Sequence, residues 1–178
     1  GVGQNLVDHT SSAFVFRRKE GGTFQQNMRL DRVGFSLIRA YLGMGGFAAD
    51  LPFGITGFVK TREEEPVPDL QLLFWMGATT TAAPWLPPFK KAFADSFSVR
   101  AMPMRPESRG YVSLASSNPN EAPEIHQRFL QTENEWRVLR AGLRMARDLV
   151  GQAPMSPFAG DELIPGADQV SDEAIDAH

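Results

Sequence analysis

The stretch that most limits what this chain can fold into is Thr132–Val150, TENEWRVLRAGLRMARDLV. Thr132 and Glu135 form a T-x-x-E capping box, in which each side chain covers an orphan amide of the first helical turn. Trp136, Leu139, Leu143, Ala146 and Val150 then recur at helical spacing and make one apolar face. A helix with one apolar face has to bury it against a second layer, so the fold class depends on what the rest of the chain supplies as that layer.

The rest supplies mostly strands. "SSAFVFRRK" sets aromatic and β-branched residues among Ser and Arg, and "FGITGFVKT", "PDLQLLFWMG", "SFSVRAMPM" and "GYVSLAS" read the same way. Pro103 in the fourth of these suggests an edge strand or a bulge. "RLDRVGFSLIRAYLG" predicts a second helix, with Leu30, Val33, Leu37, Ile38 and Tyr41 at helical spacing and Gly43 as its stop. "TTTAAPWLPPFKKAFADS" is broken by Pro84, Pro87 and Pro88 and predicts a mobile surface loop. The segment with Pro154, Pro157 and Pro165 reads as another loop, and "SDEAIDAH" as a short helix capped by Ser171. Strands and helices do not alternate as βαβ units. The expected class is therefore α+β, an antiparallel sheet of about five to six strands with helices flanking one face.

At 178 residues this is one domain with one core. A net charge of −3 with mixed signs argues against nucleic acid as a partner. Cysteine is absent, which excludes a thiol nucleophile, a cysteine metal site and a disulfide scaffold, and favours a reducing compartment such as the cytoplasm. No apolar run is long enough for a transmembrane segment. The chain opens on a Gly-Val-Gly turn without an initiator Met and stops inside a helix, so it reads as a piece of something longer.

The candidate chemistry is sparse. "GMGGFA" at Gly43–Ala48 matches G-x-G-x-x-A, but a helix precedes it and none follows, so it is rejected as a dinucleotide loop. Three histidines are present, His9, His126 and His178, none in a nucleophile-elbow or zinc-binding context. His126 reads as a surface-turn residue. Asn5, Asp8 and His9 can either hold a ligand or tie down their own loop. Arg137, Arg140, Arg144 and Arg147 line one side of the long helix, where they can dock an acidic surface or a phosphate or form an ordinary solvated face. The aromatic stretches "LLFWM" and "APWLPPF" can line an apolar pocket or pack the core.

Four phrases in order carry a resemblance. "GVGQNLVDH" resembles P-G-V-G-x-N-L-x-D-H of the glucose–methanol–choline (GMC) oxidoreductase family. "MRPESRGYVSLASSNPNEAPEIHQRFL" resembles that family's R-P-x-S-R-G-x-V-x-L-x-S-x-D-P-x-x-A-P-x-I-x-x-x-Y-L, with Asn118 where Asp is usual and His126 where Asp is frequent. "GGFAADLPFGITGFVKT" and "PDLQLLF" fall between them in the family's order, and "SDEAIDAH" resembles the helix leading toward its catalytic region.

The resemblance implies the substrate-binding domain of a choline-dehydrogenase-like flavoprotein. Residues 1–10 would be a junction from a missing FAD-binding domain, and 11–178 the substrate-binding domain, truncated before the catalytic histidine. The parent would oxidise an alcohol by hydride transfer to FAD, whereas this chain alone would be inactive and would not retain FAD. Phe74, Met76, Arg100 and Met102 are the expected pocket residues, on the strands "LQLLFWM" and "SFSVRAMPM"; Asn5, Asp8 and His9 would lie at the cofactor junction. No catalytic residue and no metal ligand is expected here. The rival readings are a stand-alone small-molecule-binding module without a flavin domain, and a scaffold whose arginine helix docks on an acidic partner.

Overall fold

The computed structural model describes residues 1–49, 53–77 and 83–178; of the expected proline-rich loop, residues 79–82 lie outside them. In chain order the elements are β1 (Gln4–Leu6), β2 (Ser12–Arg18), α1 (Thr23–Asn27), α2 (Leu30–Tyr41), β3 (Phe53–Val59), β4 (Leu70–Met76) and β5 (Ser96–Pro103). They continue with β6 (Gly110–Ser113), β7 (Glu124–His126), α3 (Glu133–Val150), β8 (Ala159–Ile164) and α4 (Asp172–Asp176). Five strands make an antiparallel sheet in the order β3-β4-β5-β2-β8, and β1-β6-β7 form a small second sheet. This is the expected α+β antiparallel architecture.

The aromatic and β-branched residues of β2, β4 and β5 alternate across the sheet, as period-2 side chains must. Phe14, Phe16, Leu70, Leu72, Val99 and Ala101 are buried on one face, and α3 lays Val138, Leu139, Leu143, Ala146 and Val150 against them. The helix lies very close to the sheet. A Cβ at Gly142 would sit 2.8 Å from Ala101 Cβ and from both methyls of Leu70, so only glycine permits this approach.

Glu135 extends the capping box into a structural hub. Thr132 Oγ1 accepts from the Glu135 amide at 3.3 Å, and the Glu135 carboxylate accepts from the Thr132 amide at 3.2 Å. The same carboxylate accepts the amides of Glu107 and Ser108, each at 3.1 Å, and the Ser108 hydroxyl. It thereby pins the turn between β5 and β6 to the start of α3. Burial alone would raise this carboxyl, but the hydrogen bonds from Ser108 and Thr132 outweigh burial and hold it below its ordinary value of 4.5. A depressed folded value means stability that is present above the unfolded value and lost as pH falls through the folded one. Glu135→Gln should therefore cost about 1.5–3 kcal/mol near neutrality. Thermal denaturation across pH should show that deficit shrinking in acid, as the wild-type carboxylate itself becomes protonated.

The four arginines of α3 are neither a docking surface nor a free solvated face, because each has an acidic partner within the chain. Arg137 reaches Glu65 at 3.5 Å and Asp69 at 3.9 Å; Arg140 reaches Asp176 at 2.6 Å and Glu133 at 2.8 Å. Arg144 pairs with Asp172, and Arg147 with Glu162 at 2.9 Å. A hydrogen bond from Arg140 holds the Asp176 carboxyl below its usual range. Together these pairs clamp α3 to α4, β8 and the turn after β3.

Four local expectations are corrected. β5 lies in the sheet interior between β4 and β2, and Pro103 is tolerated because it is the strand's last residue. A strand, β8, occupies part of the expected C-terminal loop. His126 ends β7, stacked on Tyr111 with ring centroids 4.3 Å apart, rather than lying in a turn. The helix α2 forms as expected, but its apolar face is not part of the core: Leu37, Ile38 and Tyr41 are 55%, 60% and 91% exposed. Helical spacing determines that a stripe exists, and the neighbours determine whether it is covered.

Candidate functional site

The face of the five-stranded sheet opposite α3 has no helix packed along it among the described residues. In β4 and β5 the antiparallel register pairs Gln71 with Met102, Leu73 with Arg100 and Trp75 with Ser98. On the other side of β5, Ala13 pairs with Arg100 and Val15 with Ser98. Gln71, Leu73, Trp75, Ser98, Arg100, Met102, Ala13 and Val15 therefore share the helix-free face, since directly opposed residues point the same way.

Arg100 is the charged group near the middle of this face. Its guanidinium carbon lies 5.4 Å from the centroid of the Trp75 ring, a cation–π contact between diagonal neighbours. Nη1 donates to Ser11 Oγ at 2.9 Å, while Nε is buried without a hydrogen-bond partner among the described residues. The surroundings are a mixed apolar and hydroxyl surface, with Val15 and Ser98 buried beneath the half-buried Leu73, Trp75 and Met102. Such a wall can hold a small molecule by packing while a few polar groups orient it.

The four expected pocket residues do not line one wall. Arg100 and Met102 face the helix-free side, but Phe74 pairs with Val99 and Met76 with Phe97, which places them on the α3 side. There, Phe74 and Met76 join Ile55, Phe97, Met155 and Phe158 around a mostly apolar cavity of about 180 Å³, whose lining also includes Arg18 and Trp75. Partners on β4 and β5 have residue numbers of opposite parity. Even positions of one strand thus share a face with odd positions of the other, and Leu73 and Trp75, not Phe74 and Met76, accompany Arg100. "LLFWM" contributes residues to both faces of the sheet, and only the register decides which parity faces which side. Ser11 and Val15 carried no separate sequence signal.

Asn5, Asp8 and His9 link the small sheet to β2. Asn5 forms the bulge between Gln4 and Leu6 with φ of 61°, a left-handed conformation that Asn tolerates better than most residues. The Asp8 carboxylate accepts the His9 amide at 2.8 Å, and His9 Nδ1 lies 3.2 Å from the Pro103 carbonyl oxygen at the end of β5. These contacts tie down the chain where it meets β5. His178 Nε2 lies 3.0 Å from the Ala13 carbonyl oxygen.

No group of three His, Cys, Asp or Glu side chains gathers among the described residues. The glycine cluster Gly43–Ala48 follows α2, with Gly43, Gly45 and Gly46 at positive φ, and lacks the strand–loop–helix order that presents amides to a pyrophosphate. This glycine cluster therefore does not fit a dinucleotide's pyrophosphate. No helix among the described residues is long and apolar enough to cross a membrane.

Residues 106–178 match the family model described as GMC oxidoreductase. The chain is 30% identical over 178 residues to the oxygen-dependent choline dehydrogenase of Photobacterium profundum, covering 99% of this chain and 30% of that protein. It is 32% identical over 177 residues to the enzyme of the same name from Paraburkholderia phymatum, again covering 99% of this chain and 30% of that protein. Among solved structures, a formate oxidase superposes with a TM-score of 0.77 at 22% identity, covering 99% of this chain and 35% of that one. A fungal aryl-alcohol oxidase superposes with a TM-score of 0.66 at 19% identity, covering 98% of this chain and 36% of that one. The chain thus spans about 30% of the length of the curated relatives it matches.

Proposed function

We propose, for a chain whose residues 106–178 belong to the GMC oxidoreductase family, that it forms the substrate-binding part of a flavin-dependent alcohol oxidoreductase. The observation that carries this reading is the likeness to enzymes named choline dehydrogenase over 99% of the chain, together with a helix-free sheet face of mixed apolar and polar residues. The relatives' remaining length is what would supply the flavin-binding part, and residues 1–10 would be the junction to it, with Asn5, Asp8 and His9 nearest the cofactor.

In the parent enzyme an alcohol carbon would be oxidised to a carbonyl, its hydroxyl proton leaving to a base and its hydride to FAD. The flavin supplies the two-electron acceptor when bound. This chain would contribute a wall that packs the alcohol's carbon skeleton, with the half-buried Arg100 as its polar point and Leu73, Trp75 and Met102 as its apolar ones, while Ser98 and Val15 on the same face are buried. Phe74 and Met76 would support that wall from behind, on the core side of β4. The base would come from the relatives' remaining length; what supports this is that His9 and His178 lie against backbone carbonyl oxygens and His126 is stacked on Tyr111 in the small sheet.

The purified chain should accordingly be colourless and inactive, while the longer protein containing it should be yellow and lose its flavin absorbance on anaerobic mixing with an alcohol substrate. A flavin band at a concentration near that of the purified chain would overturn the division of labour. Failure of every alcohol in a chemically diverse panel to bleach the longer protein would overturn the alcohol reading.

A further inference from the structure

We infer that the helix-free face selects an alcohol carrying a carboxylate and disfavours a quaternary ammonium, an inference that rests on the proposed role of this face as the substrate wall. Strands β2, β3, β4 and β5 read SAFVFRR, FGITGFV, LQLLFWM and SFSVRAMP, and the acidic residues of the sheet, Asp161 and Glu162, lie on its edge strand β8, two strands from Arg100, with Glu162 held by Arg147. The charged side chains on the helix-free face of these strands are Arg100 and, paired with Ser96 further along β2, the exposed Arg17. A trimethylammonium group beside Arg100 meets a like charge, and the Trp75 ring there already carries the guanidinium at 5.4 Å. The exposed Phe58 ring, paired with Gln71, lies two strands away on β3.

An anion meets the opposite situation. Nη1 of Arg100 donates to Ser11, and Nε is buried without a hydrogen-bond partner among the described residues. The half-buried guanidinium keeps its full charge, which a carboxylate can meet with a charge-assisted hydrogen bond. The Trp75 ring, 5.4 Å from the guanidinium carbon, restrains the side chain, so less of its freedom is lost when an anion binds. Partial burial of Arg100 also strengthens the charge interaction relative to open water. The apolar strip of Leu73 and Met102 beside it suits a short carbon skeleton between the carboxylate and the hydroxyl.

The test uses the longer flavoprotein and three primary alcohols with similar arms. They are β-hydroxypropionate, n-propanol and choline, the first and last sharing a hydroxyethyl group with opposite charge. Steady-state kcat/KM should be highest for β-hydroxypropionate, and propionate should compete with it. In Arg100→Gln the ratio of kcat/KM for β-hydroxypropionate over n-propanol should fall about ten- to hundredfold, the value of a charge-assisted hydrogen bond. Arg100→Lys should recover part of it.

A wild-type preference for choline would overturn the inference while leaving alcohol oxidation standing, and this readout needs no variant to fold. An unchanged ratio in a folded Arg100→Gln protein would also overturn it. If no alcohol reduces the flavin but propionate binds the wild type more than tenfold tighter than Arg100→Gln, the anion preference stands and the alcohol reading falls.

Discussion

Leu143→Ala should destabilise the protein by about 3–5 kcal/mol, near the upper end for a buried leucine. Leu143 is fully buried in the cluster formed by α3 with β2, β4 and β5. The cost depends on whether the surroundings can close over the space that is left. Here they have little room, because Gly142 already brings the helix backbone to within a methyl group's distance of Leu70 and Ala101. The helix cannot settle further onto the sheet, so most of the cavity should persist. Leu149 lies on the same helix but is exposed, and Leu149→Ala should cost no more than about 0.5 kcal/mol. Urea denaturation of the two variants measures the contrast. A Leu143→Ala loss below about 1.5 kcal/mol would show that α3 packs more loosely than these distances imply.

Arg147→Met should cost about as much, 3–5 kcal/mol, for an electrostatic reason. Nε and Nη2 of Arg147 each donate to a Glu162 carboxylate oxygen at 2.9 Å, and Nη2 also donates to the Gly166 carbonyl at 3.2 Å. The guanidinium carbon lies 4.3 Å from the centroid of the Phe14 ring. The Glu162 side chain is only 5% exposed, so removing the arginine strands a carboxylate away from water. Replacing both residues, as Arg147→Met with Glu162→Leu, should recover most of the loss, because the stranded charge is then gone. Arg144→Met is the comparison. Its partner Asp172 is 49% exposed, and that pair should contribute no more than about 1 kcal/mol. Equal losses for the two arginines would mean that burial of Glu162 does not set the difference.

These two sites show why some of the molecule was legible in the chain and some was not. The capping box at Thr132 and Glu135 lies within one helical turn, and local hydrogen bonds form it wherever the helix goes. The apolar positions of α3 recur within five turns, so period identified Leu139, Leu143, Ala146 and Val150 as core, while Trp136 of the same expected face is half-buried outside it and the core residue Val138 fell off the pattern. The partners of the α3 arginines are a different matter. Glu65 and Asp69 lie before β4, Glu162 on β8 and Asp172 and Asp176 around α4, too distant in sequence for any local rule to pair them with a given arginine. The same arginines therefore read as a free basic face until the fold brought the carboxylates to them.

The helix-free sheet face divides along the same line. Strand content, the neighbouring roles of "LQLLFWM" and "SFSVRAMPM", the antiparallel class and the family resemblance all lie in short stretches of sequence, and each is present in the folded chain or its relatives. Which side of the sheet each residue faces does not lie there. A strand can present either parity to a helix, and only the pairing of Leu73 with Arg100 and of Val99 with Phe74 sends Phe74 and Met76 toward α3 and Trp75 toward Arg100. The sequence by itself determined the longer elements, though not β1, α1, β7 or β8, because propensity, capping and periodicity act within a few residues. Tertiary structure alone decided the register, the arginines' partners and the exposure of α2, because each depends on groups that meet only after long loops close.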